Sequence, residues 1–216
     1  MPRSPEQNQV IREKRIQQIL EAALTVFSEK GYYGTEIGVI AKRAGMGRSL
    51  IYYYFKDKQD VFIELIHRTL RLWREEMKTI LESGSSVTDR MGRILKKSCA
   101  FCQDNPDLSR FHQMIARDLQ LLFSGREEEV RRYFEENIRQ PVRALMEEGV
   151  QTGEIRVAPE LAERFFFSIL FGAIHHECML EKSQLNDWVK LSLYGLTGEK
   201  SVSVSWADGR RISHDE

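Results

Sequence analysis

Apolar residues recur three and four positions apart through nearly every long segment of this 216-residue chain, and no run alternates convincingly with a period of two. That spacing puts the apolar side chains of a segment on one side of an α-helix, whereas half-buried strands would need alternation. The first clear case is Ile16, Ile19, Leu20, Ala23, Leu24 and Phe27, one continuous stripe closed by Gly31, the residue type best able to end a helix. The expected fold is all-α, with about nine helices. The pattern predicts short helices over 37–44 and 48–55 and a long one from Gln59 carrying Val61, Phe62, Leu65, Ile66, Leu70, Trp73, Met77 and Ile80. Further helices are expected over 88–103, 107–123, 127–148, 160–181 and 184–196, separated by breaks such as Ser83-Gly84-Ser85-Ser86, Asn105-Pro106-Asp107 and Ala158-Pro159-Glu160. Pro141 falls inside the 127–148 pattern. Because proline lacks an N–H and its ring clashes with the preceding turn, that helix is expected to bend or break.

Three regions follow: residues 1–58, with an N-terminal arm and three helices; residues 59–196, a helical body; and residues 197–216, a polar, patternless tail outside the core. Lysine plus arginine number 32 and aspartate plus glutamate also 32, so affinity for a polyanion has to come from charge placement. Residues 1–58 hold ten basic and six acidic residues, against 22 and 26 in the remainder. The N-terminal region is therefore the polyanion candidate. No stretch approaches the roughly 18 apolar residues of a membrane span, and the N-terminus lacks the apolar core of a signal peptide. Cys99, Cys102 and Cys178 are sparse and odd in number, which argues against a disulfide framework and for a reducing compartment. A cytoplasmic location is expected.

The segment from Ile37 to Phe55 has the spacing of a helix-turn-helix. Ile40, Ala44, Met46 and Ile51 supply apolar contacts between two steeply crossing helices, Ala41 is small where the second helix approaches, and Gly45 suits the left-handed conformation of a three-residue turn. With Ile51 and Phe55 facing inward, the short second helix exposes Arg48, Ser49, Tyr53 and Tyr54. A polar and aromatic two-turn helix of this kind fits a nucleic-acid groove.

Gly31-Tyr32-Tyr33-Gly34-Thr35, then Ile40-Ala41-x-x-Ala44-Gly45-Met46, then Ile51-Tyr52-x-Tyr54-Phe55-x-x-Lys58 resembles the N-terminal signature of the TetR family of bacterial transcriptional regulators. The likeness covers roughly residues 12–66. It implies an N-terminal helix-turn-helix DNA-binding domain followed by a helical ligand-binding and dimerisation domain, of which Gly149-x-x-x-Gly153-Glu154-Ile155 followed by Pro159 is a second echo. By that resemblance Arg48, Ser49 and Tyr53 point at base edges and Leu50 meets a thymine methyl, with Arg48 able to bind guanine through two hydrogen bonds. Thr35 begins the preceding helix and binds phosphate, as do Tyr52, Tyr54 and Lys58, with Lys42 and Lys56 as weaker phosphate contacts. The Tyr52 ring is expected to be partly buried. Two positions depart from the family pattern: Glu36 stands where a second hydroxyl is usual, and Gly47 replaces the usual Ser or Thr that caps the recognition helix, leaving backbone donors for phosphate. Arg12, Lys14 and Arg15, with Arg3, are candidates for a basic arm, although for Arg3 a mobile solvated terminus is the preferred reading.

The same resemblance implies a two-fold dimer on a near-palindromic operator in double-stranded DNA. The segment from Leu161 to Ile174 is apolar around most of its circumference, which suits a subunit interface. Phe165, Ile169 and Ala173, with Leu185 and Trp188, are the interface candidates. A small-molecule effector, whose identity the sequence leaves open, is expected among the middle helices, where it would tilt the long helix from Gln59. Trp73, Cys102, Phe111, His112 and Phe166 are its candidate contacts, ordinary core packing being the alternative. Cys99-x-x-Cys102 and His175-His176-x-Cys178 raise a metal or redox sensor, or an all-helical enzyme, as the other reading. Their helix-interior spacing is unlike that of a zinc site, and buried small hydrophobes explain the cysteines more simply. There is no phosphate loop, nucleophile elbow or His-Glu-x-x-His pair, so neither catalytic machinery, cofactor nor metal is expected.

Overall fold

Ser4 accepts a hydrogen bond from the Gln7 N–H at 3.3 Å while the Gln7 side chain accepts one from the Ser4 N–H at 3.1 Å. This reciprocal capping box starts α1 (Pro5–Lys30) well before the apolar stripe begins at Ile16. The computed structural model describes residues 4–122, 125–175 and 182–197. Of the candidates for a basic arm, Arg12, Lys14 and Arg15 ride on exposed helix, and Arg3 lies outside the described residues. The remaining elements are α2 (Ile37–Arg43), α3 (Arg48–Tyr54), α4 (Lys58–Leu81), α5 (Val87–Asp104), α6 (Pro106–Leu122), α7 (Glu127–Phe134), a π-helical turn (Glu135–Arg139), α8 (Gln140–Gln151), α9 (Pro159–His175) and α10 (Lys182–Thr197). Among the described residues no strand occurs, and no helix is long and apolar enough to cross a membrane.

The helix expected over 127–148 is divided by its π-helical turn. Gln140 bonds back to the Glu135 carbonyl, five residues earlier, and this widening makes room for the Pro141 ring and needs no N–H from it. Residues 176–181 and 198–216, including the expected tail and Cys178, lie outside the described residues.

Two apolar clusters hold the helices together. The first combines Ile19, Leu20, Val26 and Phe27 of α1 with Ile37 and Ile40 of α2, Ile51 of α3 and Val61 to Ile66 of α4, and it extends to Leu108, Phe111 and Met114 of α6. Phe62 is its centre, edge-on to Phe27 at 5.0 Å and to Phe111 at 5.2 Å. The second joins Met77 and Ile80 of α4 to α5, α8, α9 and α10 around Met91, Ile94, Met146 and Phe166. Leu70 packs against both.

The Gly149–Ile155 phrase has a local structural purpose. Gly153 takes a φ of 77° to turn the chain, Ile155 and Val87 close over Gly149, and the Glu154 carboxylate accepts from the N–H groups of Val87 and Thr88 at 3.0 and 2.9 Å. A carboxylate at the start of α5 satisfies donors that the helix itself cannot.

Candidate nucleic-acid interface

The turn between α2 and α3 is fixed by its own hydrogen bonds. Gly45 adopts a φ of 65° and donates to the Lys42 carbonyl at 3.2 Å, while Met46 donates to the Ala41 carbonyl at 2.9 Å. This paired arrangement is a Schellman motif, which only a residue tolerant of the left-handed region completes without strain. Ile51, 0% exposed, then pins α3 onto the first cluster, and Phe55 closes its end. Gly47 is the residue before α3 and makes no side-chain cap, as its identity requires.

Anchoring one side of α3 leaves the other in solvent. Gly47, Arg48 and Ser49 are exposed, Tyr52 and Tyr53 are 56% and 73% exposed, and Leu50 is half-buried. The expectation of a partly buried Tyr52 is corrected. The half-buried ring is Tyr54, which meets Tyr53 edge-on at 4.9 Å and lies under the Arg12 guanidinium at 5.4 Å. Helical geometry accounts for the exchange: Ile51 and Phe55 point inward, and Tyr54 borders that face while Tyr52 turns away from it.

Two expected phosphate contacts are placed elsewhere. Thr35 precedes α2 but is 1% exposed, and its hydroxyl donates to the Gly31 carbonyl at 2.7 Å. It ties the end of α1 to the turn and does not face solvent. The Lys58 ammonium donates to the Tyr32 carbonyl at 2.8 Å and sits 4.5 Å from the centre of the Tyr32 ring. Burial holds its pKa below the usual lysine range, with Glu36 acting in the opposite sense. Lys58 is thus a clip between the α1–α2 turn and α4.

The electrostatics of the face lie in what its cations lack. Lys42, Arg48 and Lys56 are exposed and pair with no carboxylate among the described residues. Several other arginines are engaged: Arg43 with Glu29 at 2.7 Å, Arg71 with Glu64 at 2.7 Å, Arg126 with Asp60 at 3.0 Å, and Arg139 and Arg143 with the buried Glu163 at 2.6 and 2.8 Å. Unpaired cations among exposed tyrosine hydroxyls form a surface suited to phosphate and base edges. Two contributors were not singled out from the sequence. Arg43 ties α2 to α1 through Glu29, and Gly38 abuts the Arg48 guanidinium. A glycine inside a seven-residue helix was the available signal for the latter.

The candidate effector contacts divide between the two apolar clusters. Trp73, whose Nε1 donates to Ser98 at 3.0 Å, lies with Cys102 and Phe166 in the second cluster, whereas Phe111 belongs to the first and His112 stands beside it. Of the interface candidates, Phe165 is 40% exposed, and Ile169, Leu185 and Trp188 are partly buried against the second cluster. Leu161, Leu191 and Tyr194 extend an exposed apolar surface along α9 and α10. The side chain of Ala173 lies outside the described residues. Cys99 and Cys102 are buried in α5, while the His175 side chain and Cys178 lie outside the description. Among the described residues no group of three or more His, Cys, Asp or Glu is placed to hold a metal.

Comparison with known proteins bears on the same segment. Residues 19–65 match the family described as bacterial regulatory proteins, tetR family. The fatty acid metabolism regulator protein of Bacillus subtilis is 27% identical over 157 residues, covering 73% of this chain and 78% of that protein. The HTH-type transcriptional regulator HbdR of Aromatoleum is 30% identical over 131 residues, 59% of this chain and 57% of its own length. In fold, the chain superposes on the Bacillus subtilis regulator FadR, solved in complex with stearoyl-CoA, with a TM-score of 0.72 at 23% identity, covering 83% of this chain and 98% of that one.

Proposed function

The chain belongs to the TetR family of bacterial transcriptional regulators, and from that premise we propose that it is a homodimeric repressor, released from a near-palindromic operator by a small-molecule effector. The observation that carries the reading is the α3 face, where Arg48, Ser49, Tyr52 and Tyr53 are exposed while Ile51 anchors the helix from behind. In the proposed complex α3 enters the major groove, Arg48 addresses guanine, Ser49 and Tyr53 meet base edges, and Leu50 meets a thymine methyl. Lys42, Lys56, Tyr52, Tyr54 and the Gly47 backbone set register on phosphates. Thr35 and Lys58 shape the platform. One α3 makes few contacts, so two copies joined through the exposed apolar residues of α9 and α10 read successive groove faces.

For the effector we infer a long-chain acyl thioester. The reading is supported by the relative named as a fatty acid metabolism regulator, whose similarity runs beyond the DNA-binding segment, and by the stearoyl-CoA complex of the related fold. The first experiment selects binding sites from random duplex DNA with purified protein. A palindromic consensus is expected, with affinity falling steeply as salt rises and stearoyl-CoA dissociating the complex. Folded, dimeric protein that enriches no sequence, with or without acyl-CoA, defeats the regulator reading. Enrichment unaffected by acyl-CoA defeats only the choice of effector.

A further inference from the structure

Gly38 is the second residue of α2, a place where glycine is a poor helix former and where no left-handed backbone calls for it. Its neighbour supplies a reason. A Cβ built at Gly38 would stand 2.5 Å from Nη2 of Arg48, 2.6 Å from its Nε and 2.9 Å from its Cζ. The guanidinium therefore lies against the α2 backbone in the space that any other residue would fill. Arg48 opens α3 and has no carboxylate partner among the described residues, so packing on Gly38 sets where its charged end sits.

We propose that Gly38 is a positioning residue for Arg48, its missing side chain providing the seat from which the guanidinium reaches a base edge. This rests on the reading of α3 as the recognition helix. An unsupported arginine samples many rotamers and loses them on binding, whereas one held in advance loses fewer. The bidentate geometry that arginine offers to guanine depends on the direction of the guanidinium plane. The seat therefore bears on both affinity and base preference.

An alanine at position 38 discriminates this role from a structural one. The atoms it would meet are the far end of a flexible side chain, so Arg48 moves away, the fold is kept and α2 gains helix propensity. The test uses the DNA site selected by the wild-type protein and compares wild type, Gly38→Ala, Arg48→Ala and the double variant by Kd and by thermal melting. Arg48→Ala is expected to weaken binding about 10- to 100-fold, the worth of a bidentate base contact. Gly38→Ala should weaken it several-fold, relax the preference at the base pair that Arg48 reads, and melt at or above the wild-type temperature. In the Arg48→Ala background Gly38→Ala should have no further effect. Wild-type affinity for Gly38→Ala, or the same loss with and without Arg48, overturns the positioning role. Wild-type affinity for Arg48→Ala instead removes Arg48 as a base reader, and the role of Gly38 with it.

Discussion

Phe111 lies on α6, more than fifty residues beyond α3 in sequence, yet it is 0% exposed inside the cluster that supports the DNA-binding face. Its ring meets Phe62 at 5.2 Å and Phe27 at 6.4 Å, and both partners are themselves 0% exposed. Truncating it to alanine removes the ring and leaves a cavity that helices braced from several sides fill only in part, a loss of about 3–5 kcal/mol. The loss includes about 0.5–1.5 kcal/mol for each aromatic pair beyond simple burial. For a protein of this size each kcal/mol shifts the melting temperature by about 2–4 °C, so a fall of about 6–20 °C is expected. The decisive readout is hydrogen exchange: amides of α1, α2 and α3 should lose protection in Phe111→Ala, and operator affinity should fall with them. A fall in melting temperature that leaves protection in α1–α3 intact would refute the shared core and confine Phe111 to the distal helices.

Two other expectations concern stability away from the α3 face. Burial holds the His67 imidazole below its ordinary value, against the pull of Glu64 and Glu129 and with the help of Arg71 and Arg126, while its ring stacks on Tyr133 at 4.0 Å. The fold thus favours neutral His67; this stability is full above about pH 6.5 and is lost as pH falls below it towards the lower folded value, so melting curves of His67→Phe should fall less steeply across that window than those of wild type, and identical slopes would contradict the assignment. A Cβ at Gly149 would stand 2.7 Å from Cδ1 of Ile155 and 2.9 Å from Cγ1 of Val87. Gly149→Ala should therefore lose about 1–2 kcal/mol in urea denaturation despite its gain in helix propensity, adding Ile155→Val should recover part of the loss, and a Gly149→Ala protein as stable as wild type would defeat the packing account.

The helices were legible because each carries its own period, and the Ala44-Gly45-Met46 turn was legible because its geometry demands a glycine. What the sequence hid was set by distant partners. The start of α1 at Pro5 depends on the reciprocal bonds of Ser4 and Gln7, a capping pattern easily passed over where no apolar stripe follows at once. The π-helical turn was foreshadowed by Pro141, but periodicity does not distinguish a widened turn from a break. Thr35 was misplaced because residues at a helix boundary face inward or outward according to how neighbouring helices cross. The Gly31 carbonyl that receives the Thr35 hydroxyl is four residues away in sequence, yet that pairing excludes solvent only because α1, α2 and α4 converge there. Phe111 read as a sensor residue because α6 belongs by sequence to the helical body, whereas in space its first half completes the core beneath α3.

That placement bears on how a signal reaches α3. Helix α4 contributes Val61 to Ile66 to the first cluster and Met77 and Ile80 to the second, with Leu70 between them. Each end is embedded in close-packed apolar surroundings, so the helix moves as a rod more readily than it deforms. Along one side it is joined to α7 and the π-helical turn by polar contacts at positions 60, 71 and 74, namely Asp60 with Arg126, Arg71 with the Tyr133 hydroxyl and Arg74 with Asn137, and by the stacked rings of His67 and Tyr133. No residue of α7 is fully buried, and its apolar anchorage is confined to Val130 against the first cluster and Phe134 against the second. Polar contacts at a half-exposed seam exchange with water at little net free energy, whereas the two apolar clusters do not. Asp60 also accepts from the Lys56 N–H at 3.1 Å, in the connection immediately after α3. In the proposed regulator an effector would tilt α4, as the family resemblance implies, and would work against this seam. Asp60 and the first turns of α4 would then couple the tilt to the connection after α3, while the Schellman turn and Ile51 keep α2 and α3 moving as one piece.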